Sequence, residues 1–240
     1  MDLIHQTYSN YISNPKYVYQ SCKTEWIVIL EKIDDTHTNE SRANIYYSNH
    51  AVVRASHLNV ILIFNKFNPT VTVTEIKSSI WPQYYYDDGF LLCGSFIFKV
   101  NDLVYSDSFN DNDLDTIRSP GIHYYKSIET AFYLELDLYK KTYTGQLVGW
   151  YPNGQKSFEG DFINGLENGK WIGWYESGQK HYEQNYIDGF ESGHSVGWYE
   201  NDLPLMQLQK CYEGDYLNEK KIGTWVMWDK NGGIIETKCY

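Results

Sequence analysis

The stretch GWYPNGQKSFEGDFINGLENGKWI, residues 149–172, is followed at once by GWYESGQKHYEQNYIDGFESGHSV, residues 173–196. Aligned without a gap, the two segments share eleven of twenty-four residues, and GWY begins a third copy at residue 197. There FEGDFINGLENGKW returns as YEGDYLNEKKIGTW after six extra residues within 202–211, and a half-copy starts at residue 224. A fixed period of 24 residues predicts stacked, similar supersecondary units.

Each copy has the residue pattern of a β-hairpin. Aromatic-rich segments flank turn dipeptides, and Asn153-Gly154 is a pair whose ease at positive φ suits a tight primed turn. A second glycine in each copy, Gly165 in the first and Gly189 in the second, supplies the turn that returns the chain into the next strand. We therefore predict that four glycines form the repeat turns: Gly154, Gly165, Gly178 and Gly189.

Two aromatic columns are predicted along the stacked hairpins. Because strand side chains alternate between faces, the neighbours Trp150 and Tyr151 point in opposite directions. The repeat core is predicted to contain the tryptophans Trp150, Trp171, Trp174, Trp198, Trp225 and Trp228. The column predicted to bind a partner consists of Tyr151, Tyr175 and Tyr199. Alternation fixes that the two columns are opposed, but it does not fix which one is buried.

The segment from about residue 143 to residue 240 resembles MORN repeats (membrane occupation and recognition nexus). GKWIGWYESGQKHYEQNYIDG follows the pattern G-x-W-x-x-Y-x-x-N-G-x-x-x-x-E-G-x-Y-x-x-G at most positions. The departures are Ser177 for the asparagine, Gln184 for a glycine and Ser195 for the tryptophan. The resemblance implies a single-layer antiparallel sheet of consecutive hairpins that serves interaction rather than catalysis. Phospholipid binding has been proposed for some members.

The preceding part of the chain has no such period and is predicted to be a small α+β domain, residues 1–140, before a repeat array at 141–240. Apolar runs predict strands at residues 25–33, 58–64, 70–76 and 91–100, and SIETAFYLEL predicts a short helix that begins at Ser127. The sequence FIFKVNDLVYSDSFNDNDLDTIRSPGIHYYKSIETAFYL resembles an uncharacterised domain of large nucleocytoplasmic DNA viruses. The resemblance implies a viral protein and no known activity.

Composition limits the class of partner. The chain has 20 basic and 31 acidic residues, a formal charge of -11, so it repels phosphate backbones and anionic membranes unless a basic patch intervenes. We see no such patch and predict no nucleic-acid partner, and the acidic charge also disfavours membrane binding. The four cysteines lie far apart without a C-x-x-C pair, which favours reduced thiols in a soluble intracellular protein. A viral protein would lie in the host cytoplasm or the virion.

Several short motifs invite a chemical interpretation. GHSVG, residues 193–197, matches a hydrolase nucleophile elbow at Ser195, but it is the repeat copy of GKWIG. Asp111, Asp113 and Asp115 have calcium-loop spacing without the required glycine and glutamate. His123 is more readily a packed histidine than a catalytic one, because no partner base or nucleophile is identifiable. We predict no catalytic residue, metal site or cofactor.

The sequence thus predicts a mainly β, non-enzymatic interaction or scaffold protein that binds another protein or a second copy of itself. One alternative is an antitoxin-like inhibitor of a partner protein, since variant MORN arrays resemble such a group in bacteria. A peripheral membrane binder and a serine hydrolase are the remaining alternatives, opposed by the acidic charge and by the repeat register of Ser195 respectively.

Overall fold

The computed structural model describes residues 1–78, 96–116, 119–134, 136, 143–201 and 208–240. The chain forms two compact units, one of residues 1–135 with 152–154 and one of residues 136–151 with 155–240. The described residues are mainly β, which confirms the predicted fold class. The domain boundary predicted at residues 140–141, and residues 202–207 of the predicted insertion, lie outside the described residues.

The first unit combines two short helices with short strands. The helices are α1, Asp2–Ile12, and α2, Ile128–Tyr133. The strands are β1 (Tyr17–Cys22), β2 (Trp26–Glu31), β3 (Val53–Ala55), β4 (His57–Asn65), β5 (Thr72–Val73), β6 (Glu75–Lys77), β7 (Ile97–Lys99), β8 (Leu103–Tyr105) and β9 (Ile122–Tyr124). An antiparallel sheet has the order β1-β2-β4-β5, with β8 paired to β4, while β3–β9 and β6–β7 form separate pairs. Its core contains buried side chains from β1, β2 and β4.

Longer elements of this unit match the apolar runs of the sequence. Strands β2 and β4 lie within or cover the predicted segments, and the Ser127 hydroxyl accepts the Glu129 N–H (3.2 Å) as the predicted cap of α2. The segment predicted as one strand at 70–76 is interrupted at Thr74, between β5 and β6. The predicted strand at 91–100 is described only from residue 96, and there it contains β7. The prediction missed α1, β1, β3, β8 and β9.

The second unit is one antiparallel sheet of consecutive hairpins. Its strands are β10 (Gly145–Trp150), β11 (Lys156–Ile163), β12 (Leu166–Trp174), β13 (Lys180–Ile187), β14 (Phe190–Glu191), β15 (Gly193–Trp198), β16 (Lys210–Leu217), β17 (Lys220–Trp228) and β18 (Ile234–Cys239). They are hydrogen-bonded in the order β10-β11-β12-β13-β15-β16-β17-β18, with β14 paired to β13. The hairpins predicted from the 24-residue sequence repeat are therefore the successive hairpins of this sheet.

Two kinds of turn alternate along the array. At one end the central residues both have positive φ, as a type I′ turn requires: Asn164-Gly165, Asp188-Gly189 and Asn218-Glu219. At the other end only one residue of each turn does, namely Gly154, Gly178 or Gly232. All four glycines predicted to form turns thus lie in turns at positive φ. The primed turn expected at Asn153-Gly154 is nevertheless wrong, because Asn153 does not adopt positive φ.

Candidate functional site

The first tryptophan of each copy lies at the end of a strand and is half-buried. A lysine of the preceding copy holds its ammonium 5.3–6.0 Å from the ring centroid, in the pairs Lys156–Trp174, Lys180–Trp198 and Lys210–Trp228. The same three lysines form ion pairs with Glu159, Glu183 and Glu213. A cation above an aromatic ring at a partly exposed site contributes about 0.5–1 kcal/mol. The tryptophan column therefore joins each hairpin to the next.

The tyrosine column also joins consecutive hairpins. Each hydroxyl donates to the backbone carbonyl of the tryptophan one copy later: Tyr151 to Trp174 (2.9 Å), Tyr175 to Trp198 (2.8 Å) and Tyr199 to Trp228 (2.9 Å). The three residues are half-buried, and the Tyr175 ring also stacks on His181 with the ring centroids 4.1 Å apart. Partner binding by these three tyrosines stays a prediction.

At two sets of glycines, an aromatic ring of the neighbouring strand packs directly against the glycine backbone. A Cβ at Gly149, Gly173 or Gly197 would lie 2.1–2.3 Å from the ring of Phe158, Tyr182 or Tyr212 on the paired strand. A Cβ at Gly160 or Gly214 would lie 2.2–2.3 Å from the indole of Trp171 or Trp225. These two indoles are buried, and each contacts two or more aromatic rings. The glycines are therefore sockets for rings on the neighbouring strand.

The middle copy replaces both members of a glycine–tryptophan pair. Gln184 stands where the neighbouring copies have Gly160 and Gly214, and Ser195 stands where they have Trp171 and Trp225. Both side chains are buried, and the Ser195 hydroxyl donates to the Gln184 Oε1. Burial raises the pKa of Tyr212, and a hydrogen bond with Ser195 offsets part of that rise. A buried polar pair thus takes the place of a glycine socket and its indole.

This environment differs from that of a catalytic serine. A nucleophile elbow places its serine on a sharp strand-to-helix turn with an exposed hydroxyl. Ser195 is only 1% exposed, lies within β15, and bonds to a glutamine amide. The adjacent His194 is exposed and approaches Glu213 and Asp215 at 3.3 and 3.4 Å.

The last hairpin, β17–β18, lacks the side chains that connect each earlier copy to the next. Asp229 takes the tyrosine position, and its Oδ1 accepts the N–H groups of Asn231 and Gly233 (2.8 Å each) within its own turn. Ile234 takes the lysine position, and Lys238 takes the socket-glycine position. In the described sheet β18 is an edge strand, and its residues at these positions differ in type from those that connect the earlier hairpins.

In the first unit the acidic segment that resembles a calcium loop is held by protein donors. His37 Nδ1 lies 2.9 Å from both Asp111 oxygens, and Asp115 Oδ1 accepts the Ala43 N–H (3.0 Å). The Asp113 carbonyl accepts from the buried Arg54 guanidinium, a residue that sequence reasoning missed. In the parts of the chain that are described, no group of three or more His, Cys, Asp or Glu side chains could hold a metal ion.

Three histidines of the first unit have separate surroundings. His50 Nδ1 lies 2.6 Å from the Thr130 hydroxyl, and His57 Nε2 lies 3.1 Å from Asp35. His123 is buried within β9, where it pairs in register with Arg54. Hydrogen bonding to His57 is the largest cause that lowers the pKa of Asp35.

Comparison with known proteins returned no similarity in sequence: no protein-family model matches the chain, and no curated protein matches it. None of the helices within the described ranges is long and apolar enough to cross a membrane.

Proposed function

We propose that the hairpin array is a non-enzymatic protein-interaction or scaffold module. The observation that supports it most is the regular row of half-buried tyrosines at Tyr151, Tyr175 and Tyr199, each anchored by its hydroxyl to the next hairpin. A partner that packs against pre-positioned aromatic rings loses little side-chain entropy at the interface.

The occupant that we favour is a different protein rather than an array of a second copy stacked end to end. Each internal hairpin contacts its successor through a tyrosine, a lysine and either a ring socket or the Gln184–Ser195 pair, whereas β18 offers Asp229, Ile234 and Lys238 at those positions. An added hairpin would therefore gain backbone pairing at the sheet edge without these side-chain contacts. The net charge of -11 also disfavours nucleic acid and anionic lipid as partners.

A matched pair of substitutions at the central tyrosine tests this role. Tyr175→Phe and Tyr175→Leu both remove the hydrogen bond to the Trp198 carbonyl, but only Tyr175→Phe keeps the ring. Tagged full-length chains would be used for affinity capture from the native cell, with quantitative mass spectrometry and circular dichroism to verify folding. We expect wild type and Tyr175→Phe to recover the same protein and Tyr175→Leu to lose it by about tenfold, as for an aromatic hot spot.

Two results would contradict the proposal. One is that wild type recovers no protein above the untagged background. The other is that folded Tyr175→Leu recovers as much of the partner as wild type, which would leave the tyrosines with their inter-hairpin role alone.

A further inference from the structure

The type I′ turns of the array expose large apolar side chains. We define the turn ridge as the five residues Ile163, Leu166, Ile187, Phe190 and Leu217, which flank the three turns. Each is 45–59% exposed, although the same array buries Trp171 and Trp225. Single exposed apolar residues are ordinary, but an apolar pair that recurs at successive turns forms a patch of the kind found at binding sites.

The turn ridge is held rigidly by backbone hydrogen bonds between successive hairpins. The Gly189 N–H donates to the Glu167 carbonyl (2.8 Å), and the Glu219 N–H donates to the Glu191 carbonyl (2.9 Å). A methyl group at Gly189 would lie 3.4 Å from Leu166 Cδ2, so the side chain of the first turn reaches the second. Leu166 of the first turn therefore approaches Gly189, which lies between Ile187 and Phe190 in the second turn.

The spacing of the turns matches the heptad spacing of an α-helix. Consecutive turns of one kind are two strands apart, about 9.6 Å at a strand separation of about 4.8 Å. Seven residues of an α-helix span about 10.5 Å at 1.5 Å per residue. A helix lying across the strand ends would therefore offer one heptad to each turn, and three turns correspond to about three heptads.

Carboxylates flank the apolar residues of the turn ridge. Glu167, Asp188, Glu191 and Glu219 lie beside it, and in the described array none of the four forms an ion pair within 4.0 Å. Burial and the nearby Glu219 raise the pKa of Glu191, with Lys221 offsetting part of the rise. Among the described residues, the bases beside the turn ridge are Lys220 and Lys221 of the third turn, and Lys221 lies 4.1 Å from the centroid of Trp225. The acidic excess falls beside the first two turns and favours a basic partner.

We propose that the turn ridge docks an amphipathic α-helix of a partner protein, with apolar residues at heptad spacing and flanking Lys or Arg side chains. This inference rests on the proposed interaction role and names the class of partner that the turn end of the array accepts. It concerns a surface distinct from the tyrosine column, so the two can be tested separately.

The test uses a synthetic three-heptad peptide with leucine at positions a and d and lysine at positions e and g, labelled with fluorescein. Binding to the full-length protein is followed by fluorescence anisotropy. A peptide with glutamate in place of lysine tests charge, and a scrambled peptide of the same composition tests spacing. We expect the basic heptad peptide to bind at least about tenfold more tightly than either control.

Variants of exposed residues locate the binding surface without disturbing the core. Ile187→Asp should weaken peptide binding by about tenfold or more, and Glu191→Gln by a smaller factor of about three. Ile235→Asp is the control, because Ile235 is 65% exposed on β18, away from the turn ridge, and it should bind the peptide like wild type.

Several outcomes would overturn the proposal: no binding of the basic heptad peptide up to about 1 mM, equal binding of the scrambled peptide, or unchanged binding by folded Ile187→Asp. A concentration-dependent dimer in sedimentation that Ile187→Asp abolishes would assign the turn ridge to a second copy and overturn it too. If the ridge fails these tests while Tyr175→Leu still loses a captured protein, the interaction role stands and only the helix-docking surface is rejected. If the protein binds the peptide but captures no tyrosine-dependent partner, the turn ridge is supported as a docking surface and the tyrosine column is rejected as one.

Discussion

Trp171 and Ser195 occupy the same position of consecutive repeats. Trp171 packs its ring over the glycine socket at Gly160, whereas Ser195 forms a buried polar pair with Gln184. Trp171 lies over Gly160 and among Phe158, Phe162 and Tyr186, whereas Ser195 bonds to Gln184 beneath the surface of the next hairpin. The sheet keeps its antiparallel pairing through both copies. A hairpin repeat therefore tolerates loss of its buried indole when the facing position changes with it, because the pair and not the single residue fills the space.

The largest expected effect is a difference in unfolding free energy between equivalent substitutions in the first and second copies. Trp171→Ala should lower the free energy of unfolding by about 3–5 kcal/mol, since a buried indole is replaced by a cavity. Ser195→Ala should cost about 1–3 kcal/mol, because it leaves the buried Gln184 amide oxygen without its donor. Urea unfolding followed by circular dichroism measures both. Equal costs would mean that Trp171 and Ser195 do not differ in packing as described.

The second prediction concerns replacing the Gly160–Trp171 socket by the polar pair found at Gln184–Ser195. Gly160→Gln alone should cost about 3 kcal/mol or more, because its Cβ would lie 2.2 Å from the Trp171 ring and the core cannot expand. Combined with Trp171→Ser, the loss should be at least about 1 kcal/mol smaller than the sum of the single losses, since the pair recreates Gln184–Ser195. The measurement is a double-mutant cycle on urea unfolding.

The control for this cycle is Gly160→Gln combined with Trp225→Ser, which belong to different sockets. Their effects should add to within about 0.5 kcal/mol. A comparable coupling in both cycles would show that the energy comes from general weakening of the array rather than from complementary packing.

The repeat and its hairpin architecture could be predicted because period, aromatic pattern and turn residues agree. The compensation at Gln184 could not, although both departures from the repeat were visible in the sequence. A register shift in the β11–β12 pairing brings Gly160 against Trp171, and neither alternation nor the 24-residue period specifies where that irregularity falls. The turn type was misassigned for a related reason, since Asn153-Gly154 has the composition of a primed turn without its backbone geometry.

Three of the strands that were missed in the first unit are too short to give a periodic signal. Strands β3, β8 and β9 each contain three residues, too few for a period of two to be distinguished from chance. Arg54 is fully buried and donates to the carbonyls of Asp113 and Pro120, but an arginine between a valine and an alanine gives no sequence signal of that role. Its importance depends on which loop the fold brings beside it.

The third prediction compares internal hairpins with the terminal one. Tyr175→Phe should lower the free energy of unfolding by about 1 kcal/mol, because it removes one inter-hairpin hydrogen bond and little packing. Tyr240→Phe is the control, since Tyr240 is 51% exposed beyond β18; its effect should stay within about 0.5 kcal/mol. Indistinguishable urea midpoints for the two variants would remove the energetic role assigned to the tyrosine column.

The smallest expected effect compares the third type I′ turn with the second. Glu219 has φ 64°, a conformation that costs a side chain about 1–2 kcal/mol, where the equivalent residue of the second turn is Gly189. Glu219→Gly should relieve that strain and the repulsion from Glu191, but glycine also gains entropy in the unfolded chain, so the net gain should be about 0.5–1 kcal/mol. The reciprocal change Gly189→Glu should destabilise by a similar amount. Thermal unfolding of both variants measures the difference, and a loss of stability in Glu219→Gly would mean that the glutamate side chain stabilises its turn by more than its backbone strain.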